Sequence, residues 1–220
     1  MMALISDIHG NHSALKAVLA FLDQRNIKNI ICLGDVGGYY SEINTCIEEL
    51  KKREIPTIMG NHDWYLAHDE NCPRSNSAND CLDYQRQVIT AENLKWLKSL
   101  PSEGTYDGIR VVHGGWNDPI DEYMKPSEEY FKNIEGKFFA SGHTHIPKIW
   151  IGNNKTYCNP GSVGQPRDGN PDASFALWDG KKFELMRVKY DIQEAQQKMA
   201  EAGFNDYYYR NLSKGLQIGR

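Results

Sequence analysis

The stretch Met2-Ala3-Leu4-Ile5-Ser6-Asp7-Ile8-His9-Gly10-Asn11 decides how the chain folds. Residues 2–6 are a short apolar run ending in polar residues, the pattern of a buried strand. An aspartate, a histidine and a glycine stand behind it, then the capping cluster Asn11-His12-Ser13. Leu15, Val18, Leu19 and Leu22 recur at helical spacing, so the strand hands over to an amphipathic helix. The same alternation continues. Residues 29–33 read as a second buried strand ending at Gly34-Asp35, Ile43, Cys46, Ile47 and Leu50 mark a helix running to Arg53, and residues 56–59 read as a third strand ending at Gly60. Strand, helix, strand, helix, strand at this spacing predicts right-handed crossovers and a parallel sheet.

The stretch 64–100 departs from that rhythm. A Ser/Asn-rich loop at 71–79 precedes helices expected over 79–89 and 91–99, which reads as a helical insertion, a candidate lid. Strands are expected near 109–112, 138–141, 148–151, 155–158, 174–178 and 182–188, with Gly-Asn-Asn and Asp-Gly turn signals between some of them. A helix near 191–202 and an aromatic, polar tail, expected to be partly mobile, close the chain. At 220 residues this is enough for one substantial core, and the expectation is a single domain, 1–220.

Hydrophobic residues at 40% and charged residues at 25% match a globular protein and exclude a disordered or fibrous one. No apolar run approaches the roughly 20 residues needed to span a bilayer. The opening Met1-Met2-Ala3 carries no basic region before a long apolar stretch, so no membrane association and a cytoplasmic location are expected. The five cysteines cannot all pair and none shows Cys-x-x-Cys spacing, so they read as small core hydrophobes kept reduced. Cys72 and Cys81, which flank a loop, are the one pair placed for a bridge. A net charge of −4 without any block of Lys and Arg removes the usual footprint of a nucleic-acid groove.

The informative fact is where the strands stop. Their ends are Asp7-Ile8-His9, Gly34-Asp35, Gly60-Asn61-His62-Asp63, His113-Gly114 and Gly142-His143-Thr144-His145. The carboxyl ends of strands in an open α/β sheet face a common crevice, so these residues are expected to converge there. Carboxylates offset the charge of divalent cations, and one carboxylate can bridge two ions. Imidazoles suit Zn, Fe, Ni and Co, and a mixed oxygen and nitrogen set also accepts Mn. Glycines beside these blocks (Gly10, Gly34, Gly60, Gly114, Gly142) permit tight turns and close backbone approach. Any one of these residues has a bland alternative. Asp7 or Asp35 alone could cap a helix and Asn61 alone could serve a turn, and His12 and His68 are read as ordinary histidines.

Taken together and in order, the five blocks resemble the calcineurin-like metallophosphoesterase family. The similarity extends to Asn159-Pro160-Gly161-Ser162-Val163-Gly164-Gln165-Pro166-Arg167, which looks like the small bacterial and archaeal phosphodiesterase branch, so it covers roughly residues 3–180. The resemblance implies an α/β sandwich with two central mixed β-sheets flanked by helices, in four layers α-β-β-α. It implies one metal on Asp7, His9 and His145 and a second on Asn61, His113 and His143, with Asp35 bridging. It also implies a hydroxide held between the two divalent ions, manganese being the leading candidate, that attacks phosphorus in line. His62 would protonate the leaving oxygen and Asp63 would orient His62. Asn11 is placed either to contact the phosphate or to cap the first helix, and Arg167 either clamps a phosphate oxygen or stabilises a turn. Trp64, Tyr65 and Trp116 follow ligand blocks; packing is the first reading, stacking on a substrate ring the second.

The implied substrate is a small phosphodiester or phosphomonoester. A protein phosphatase and a dinucleoside polyphosphate hydrolase are rivals with the same chemistry. A non-catalytic metal-binding scaffold is the alternative of another class, and the retained His62 speaks against it. A nucleic-acid substrate lacks the basic stripe it needs.

Overall fold

The computed structural model describes residues 1–218. The chain begins with β1 (Met2–Ile5), α1 (His12–Gln24), β2 (Asn29–Cys32) and α2 (Ile43–Lys52). Three helices follow, α3 (Asn61–His68), α4 (Asn76–Val88) and α5 (Ala91–Lys98). The second half contributes β3 (Glu103–Tyr106), β4 (Ile109–Val112), α6 (Glu128–Phe131), β5 (Phe138–Ala140), β6 (Lys148–Gly152) and β7 (Lys155–Asn159). It ends with β8 (Ala173–Trp178), β9 (Phe183–Val188) and α7 (Ile192–Glu201).

These strands build two sheets, ordered β2-β1-β8-β9 and β3-β4-β5-β7-β6. Both are mixed. β1 pairs parallel with β2, from Met2 opposite Asn29 to Ile5 opposite Cys32, and antiparallel with β8. In the other sheet β4, β5 and β7 run parallel while β3 and β6 run antiparallel to their neighbours.

The alternation of β1 explains the layering. Ala3 and Ile5 face a cluster with Leu15, Val18 and Leu22 of α1 and Ile43 and Ile47 of α2. Met2 and Leu4 face the other way, into a seam with Ile109, Val111, Ala140 and Trp178 that glues the two sheets. The outer face of the second sheet is covered by a smaller cluster in which Phe131 of α6 packs on Phe139 and Tyr157. Two mixed sheets flanked by helices are therefore the architecture, with the layer over β5 and β7 reduced to one helical turn and loops.

Several local expectations are corrected. Residues 56–59 form no named strand: a single parallel bridge joins Thr57 to Cys32. Pro56 has no N–H to donate, and beyond Ile58 the Met59 amide turns away to Pro101 O at 2.7 Å. Strand β3 was not legible, because Glu-Gly-Thr-Tyr at an exposed hairpin edge has no apolar alternation. The helices expected over 79–89 and 91–99 are α4 and α5, and a further helix not expected, α3, begins at Asn61, so candidate ligand and acid sit in its opening turn. Cys72 and Cys81 are both free and buried. The tail carries two 3-10 turns, Asp206–Tyr208 and Leu212–Lys214, and buries Leu212 and Ile218. No helix among the described residues is long and apolar enough to cross a membrane.

Candidate metal centre

The ladder between β1 and β2 continues past both strand ends. The Asp7 amide donates to Gly34 O, His9 to Asp35 O and Gly10 to Val36 O. Across the sandwich, Gly142 N donates to His113 O, tying the end of β5 to that of β4. Four strand ends thus meet at one rim, and the residues just beyond them turn sharply. Asp7, His9, Asp35, His143 and His145 all have left-handed backbone, with φ of 54°, 53°, 55°, 68° and 60°. Each such residue costs about 1–3 kcal/mol, so five at one rim mark a place where surrounding structure imposes the geometry.

Two groups of side chains are assembled there that could each hold a metal ion: Asp7, His9, Asp35 and His145, and Asp35, His113 and His143. Asp35 is common to both. Its Oδ2 lies 3.6 Å from His9 Nε2 and 3.3 Å from His113 Nε2, and its Oδ1 accepts the His62 amide at 2.8 Å. Asn61 Oδ1 lies 3.2 Å from His113 Nε2 and 2.9 Å from His143 Nδ1. All seven residues are at most 3% exposed, so none of these polar atoms is left to bulk water.

The tautomers test whether cations fit. His9 Nδ1 is 2.8 Å from Gly37 O, His145 Nδ1 is 2.6 Å from Gln165 O, and His113 Nδ1 is 2.7 Å from Leu33 O. A carbonyl only accepts, so each Nδ1 carries a proton, and His9 and His145, which burial keeps neutral, turn a lone pair inward on Nε2. Yet His9 Nε2 and His145 Nε2 face each other at 2.9 Å, and His145 Nε2 is 3.3 Å from Asp7 Oδ1. Converging lone pairs and carboxylates repel unless positive charge lies among them, and a backbone carbonyl behind the outer nitrogen is how proteins aim a metal-binding imidazole. The donor set fits divalent ions.

Electrostatics without a cation point the same way. Burial keeps His9 and His145 well below the usual imidazole range. Burial also pulls His113 down, but Asp35 and Asp7 outweigh it and hold the ring raised to about 10. Burial works to raise Asp35, yet His113, His62 and His9 hold it well below the carboxylate range. A proton on His113 is thus the charge that Asp35 recruits when nothing else is present.

His62 lies beside the centre. Its ring is edge-on to His9 at 4.9 Å, packs near Tyr39 at 4.9 Å, and has a buried Nδ1 with no hydrogen-bond partner. Gly38 makes this possible: at φ 135°, a Cβ there would lie 2.1 Å from His9 Nδ1 and 3.2 Å from His62 Nδ1. Asp63 is not the partner of that ring. Its oxygens accept from Gly37 N at 2.9 Å, Gly60 N at 3.1 Å and Val36 N at 3.3 Å, so it fastens the loop after Asp35 to the start of α3. Asn11 is likewise committed elsewhere. Its Oδ1 caps α1 by accepting from Ala14 N, and its Nδ2 donates to Gly164 O at 2.9 Å. The phosphate-contact alternative for Asn11 is set aside.

Arg167 does reach the site. It lines the cleft over the centre, hydrogen-bonds Gln165 Oε1 and lies 5.3 Å over the Tyr39 ring. Sequence reasoning missed other residues. Arg74 and Tyr123 line the same cleft, Tyr123 lying 4.0 Å from His143 between ring centres, and Gln217 reaches it from the tail. Asp121 pairs with Arg74 and accepts from the Tyr65 hydroxyl at 3.0 Å. Gln85 of α4 is fully buried and clamps the loop behind His9, accepting from Gly38 N at 2.7 Å and donating to Tyr40 O at 2.6 Å. Only Tyr39-Tyr40, next to Gly34-Asp35, carried a sequence signal. Trp116 packs between Phe131 and Phe139, away from the cleft.

The family model of the calcineurin-like phosphoesterase superfamily domain matches residues 1–182. An uncharacterized protein of Methanocaldococcus jannaschii is 38% identical over 245 residues, covering 100% of this chain and 98% of that protein. A metallophosphoesterase of Sphaerobacter thermophilus superposes with a TM-score of 0.84 at 30% identity, covering 97% of this chain and 98% of that one. A hypothetical protein of Pyrococcus horikoshii OT3 superposes with a TM-score of 0.85 at 22% identity over 99% and 100% of the two chains, a likeness of fold. With a buried site able to hold metal at the rim where its strands end, the chain belongs to the calcineurin-like phosphoesterase superfamily, metal-dependent hydrolases acting on ester bonds.

Proposed function

We propose that the protein hydrolyses a small phosphodiester, with a phosphomonoester as the competing substrate, using two divalent cations. Asp7, His9 and His145 would hold one cation and Asn61, His113 and His143 the other, with Asp35 shared. The observation that carries this reading is the 2.9 Å approach of His9 Nε2 and His145 Nε2, two lone pairs that need positive charge between them. Manganese is the first candidate, and Fe, Zn, Ni or Co suit the same donors. Bound there, the cations would supply Lewis acidity toward the phosphoryl oxygens and acidify a water to serve as nucleophile.

The chain's own residues supply the rest. Arg74 and Arg167, on the cleft walls, orient the phosphoryl group through charge-assisted hydrogen bonds. His62 holds the proton for the leaving oxygen. Burial lowers its ring to about 4 despite the pull of Asp35, with Arg167 and His113 adding to the lowering. An anionic phosphoryl group in the cleft reverses that balance, so His62 takes up its proton together with substrate. Asp63 and Gln85 keep the loop of Gly37 and Gly38 rigid behind His9.

The test is metal analysis of the purified protein, followed by chelation, reloading with Mn and assay on a chromogenic bis-ester and mono-ester. Activity that vanishes and returns with metal supports the centre. Turnover of the mono-ester alone would remove the diesterase assignment, and turnover of neither ester under any loading would leave the scaffold reading.

A further inference from the structure

The four candidate ligand histidines are not oriented alike. His9, His113 and His145 present Nε2 to the centre and have a backbone carbonyl behind Nδ1, at 2.8, 2.7 and 2.6 Å. His143 is turned round. Its Nδ1 lies 2.9 Å from Asn61 Oδ1, on the side of the centre, and its Nε2 points outward, buried and without a hydrogen-bond partner. A neutral ring that gives its Nδ1 lone pair to a cation carries its one proton on Nε2, and that buried N–H needs an acceptor.

Asp121 Oδ1 stands 3.5 Å from that nitrogen, within about half an ångström of a hydrogen bond. The carboxylate is held from two further sides. The Tyr65 hydroxyl donates to Oδ2 at 3.0 Å, and Arg74 of the cleft wall pairs with Oδ1. We propose that Asp121 is the positioning residue of His143: it accepts the hydrogen bond of Nε2–H and so aims Nδ1 at the cation shared with Asn61 and His113. The assignment rests on the two-cation reading above. A carboxylate behind an imidazole fixes its tautomer and raises its basicity, so Asp121 acts on this cation and not on the one at His9 and His145, whose rings have carbonyls of their own. Oδ1 is also the oxygen that Arg74 holds, so one atom joins the wall of the cleft to its floor. An Arg74 that turns to a phosphoryl oxygen leaves Oδ1 to His143, and substrate binding and the hold on this cation then reinforce each other.

The experiment titrates the chelated full-length protein with Mn by calorimetry and counts bound ions by elemental analysis after dialysis. Wild type should bind two ions. Asp121→Ala should weaken one of them by about 10–100-fold and leave the other within about twofold, the weakened ion being the one that His143→Ala removes. The ion that stays bound shows that the variant is folded. Asp121→Asn also loses the Arg74 pair but keeps an acceptor oxygen, and it should recover that affinity to within about threefold of wild type. Arg74→Ala leaves Oδ1 to His143 and should hold the same ion at least as tightly as wild type. Unchanged binding of both ions by Asp121→Ala, equal weakening of the two, a loss in Asp121→Asn as large as in the alanine variant, or loss of that ion in Arg74→Ala overturns the positioning role while the metal centre stands. A wild-type protein that binds fewer than two ions overturns the two-cation reading itself, and the role of Asp121 with it.

Discussion

The floor and the walls of the cleft are built differently. The floor consists of seven side chains fixed by strand ends, left-handed backbone and carbonyls behind imidazole rings, and all are almost wholly buried. The walls consist of Arg74, Tyr123, Arg167 and Gln217, brought by four separate loops and held mainly by side-chain contacts such as Arg74 with Asp121. Backbone-fixed groups lose nothing more on ordering, so they suit chemistry that tolerates little displacement. Side chains on loops adjust, which suits recognition of a ligand.

The comparison predicts a graded set of losses. Asp35→Ala removes the carboxylate common to both candidate groups, and activity should fall by about 10³-fold or more together with bound metal measured by elemental analysis. Retention of full metal content would break the assignment of the floor. His62→Asn should lower kcat by about 10²–10⁴-fold while metal content and KM stay close to wild type. A matching loss of metal would instead make His62 a ligand.

Gln85→Leu leaves Gly38 N–H and Tyr40 C=O unsatisfied at about 1–3 kcal/mol each. The loosened loop behind His9 should lower kcat about tenfold with little change in KM, and Gln85→Glu, which keeps the acceptor for Gly38, should recover part of it. Arg74→Ala and Arg167→Ala, on the walls, should raise KM by about threefold to tenfold and leave kcat within about threefold. A large kcat effect from either would erase the distinction between floor and walls. The smallest change is Asn11→Ala, which removes a helix cap: about 1 kcal/mol lost in thermal or denaturant unfolding and unaltered steady-state kinetics.

Legibility in the sequence followed the same division. Asp7, His9, Asp35, His113, His143 and His145 could be read together because each lies within a few residues of a strand whose apolar run announces it, and strand ends share an edge; Asn61 follows a segment that forms no strand but still runs beside β2 through the Thr57–Cys32 bridge. Asn11 was ambiguous in sequence because an asparagine before a helix can cap it or face a ligand; the geometry commits it to Ala14 and Gly164. Asp63 was misread for a related reason. Adjacency to His62 suggested a partner, but consecutive residues in a helical turn point in different directions, and its carboxylate turned to three backbone amides. Arg74 and Asp121 left no local mark, since their pairing spans 47 positions and joins the loop between α3 and α4 to the loop after β4. Strand β3 and the lone bridge at Thr57 failed at the level of local pattern, one too polar and the other begun by a proline.

The reach of Gln217 into the cleft has a practical side. A variant shortened ahead of Gln217 would lose part of the cleft lining along with the packing of the tail, so its kinetics would report on a wall and on folding at once. Point substitutions, not truncations, are the variants that keep those two effects apart.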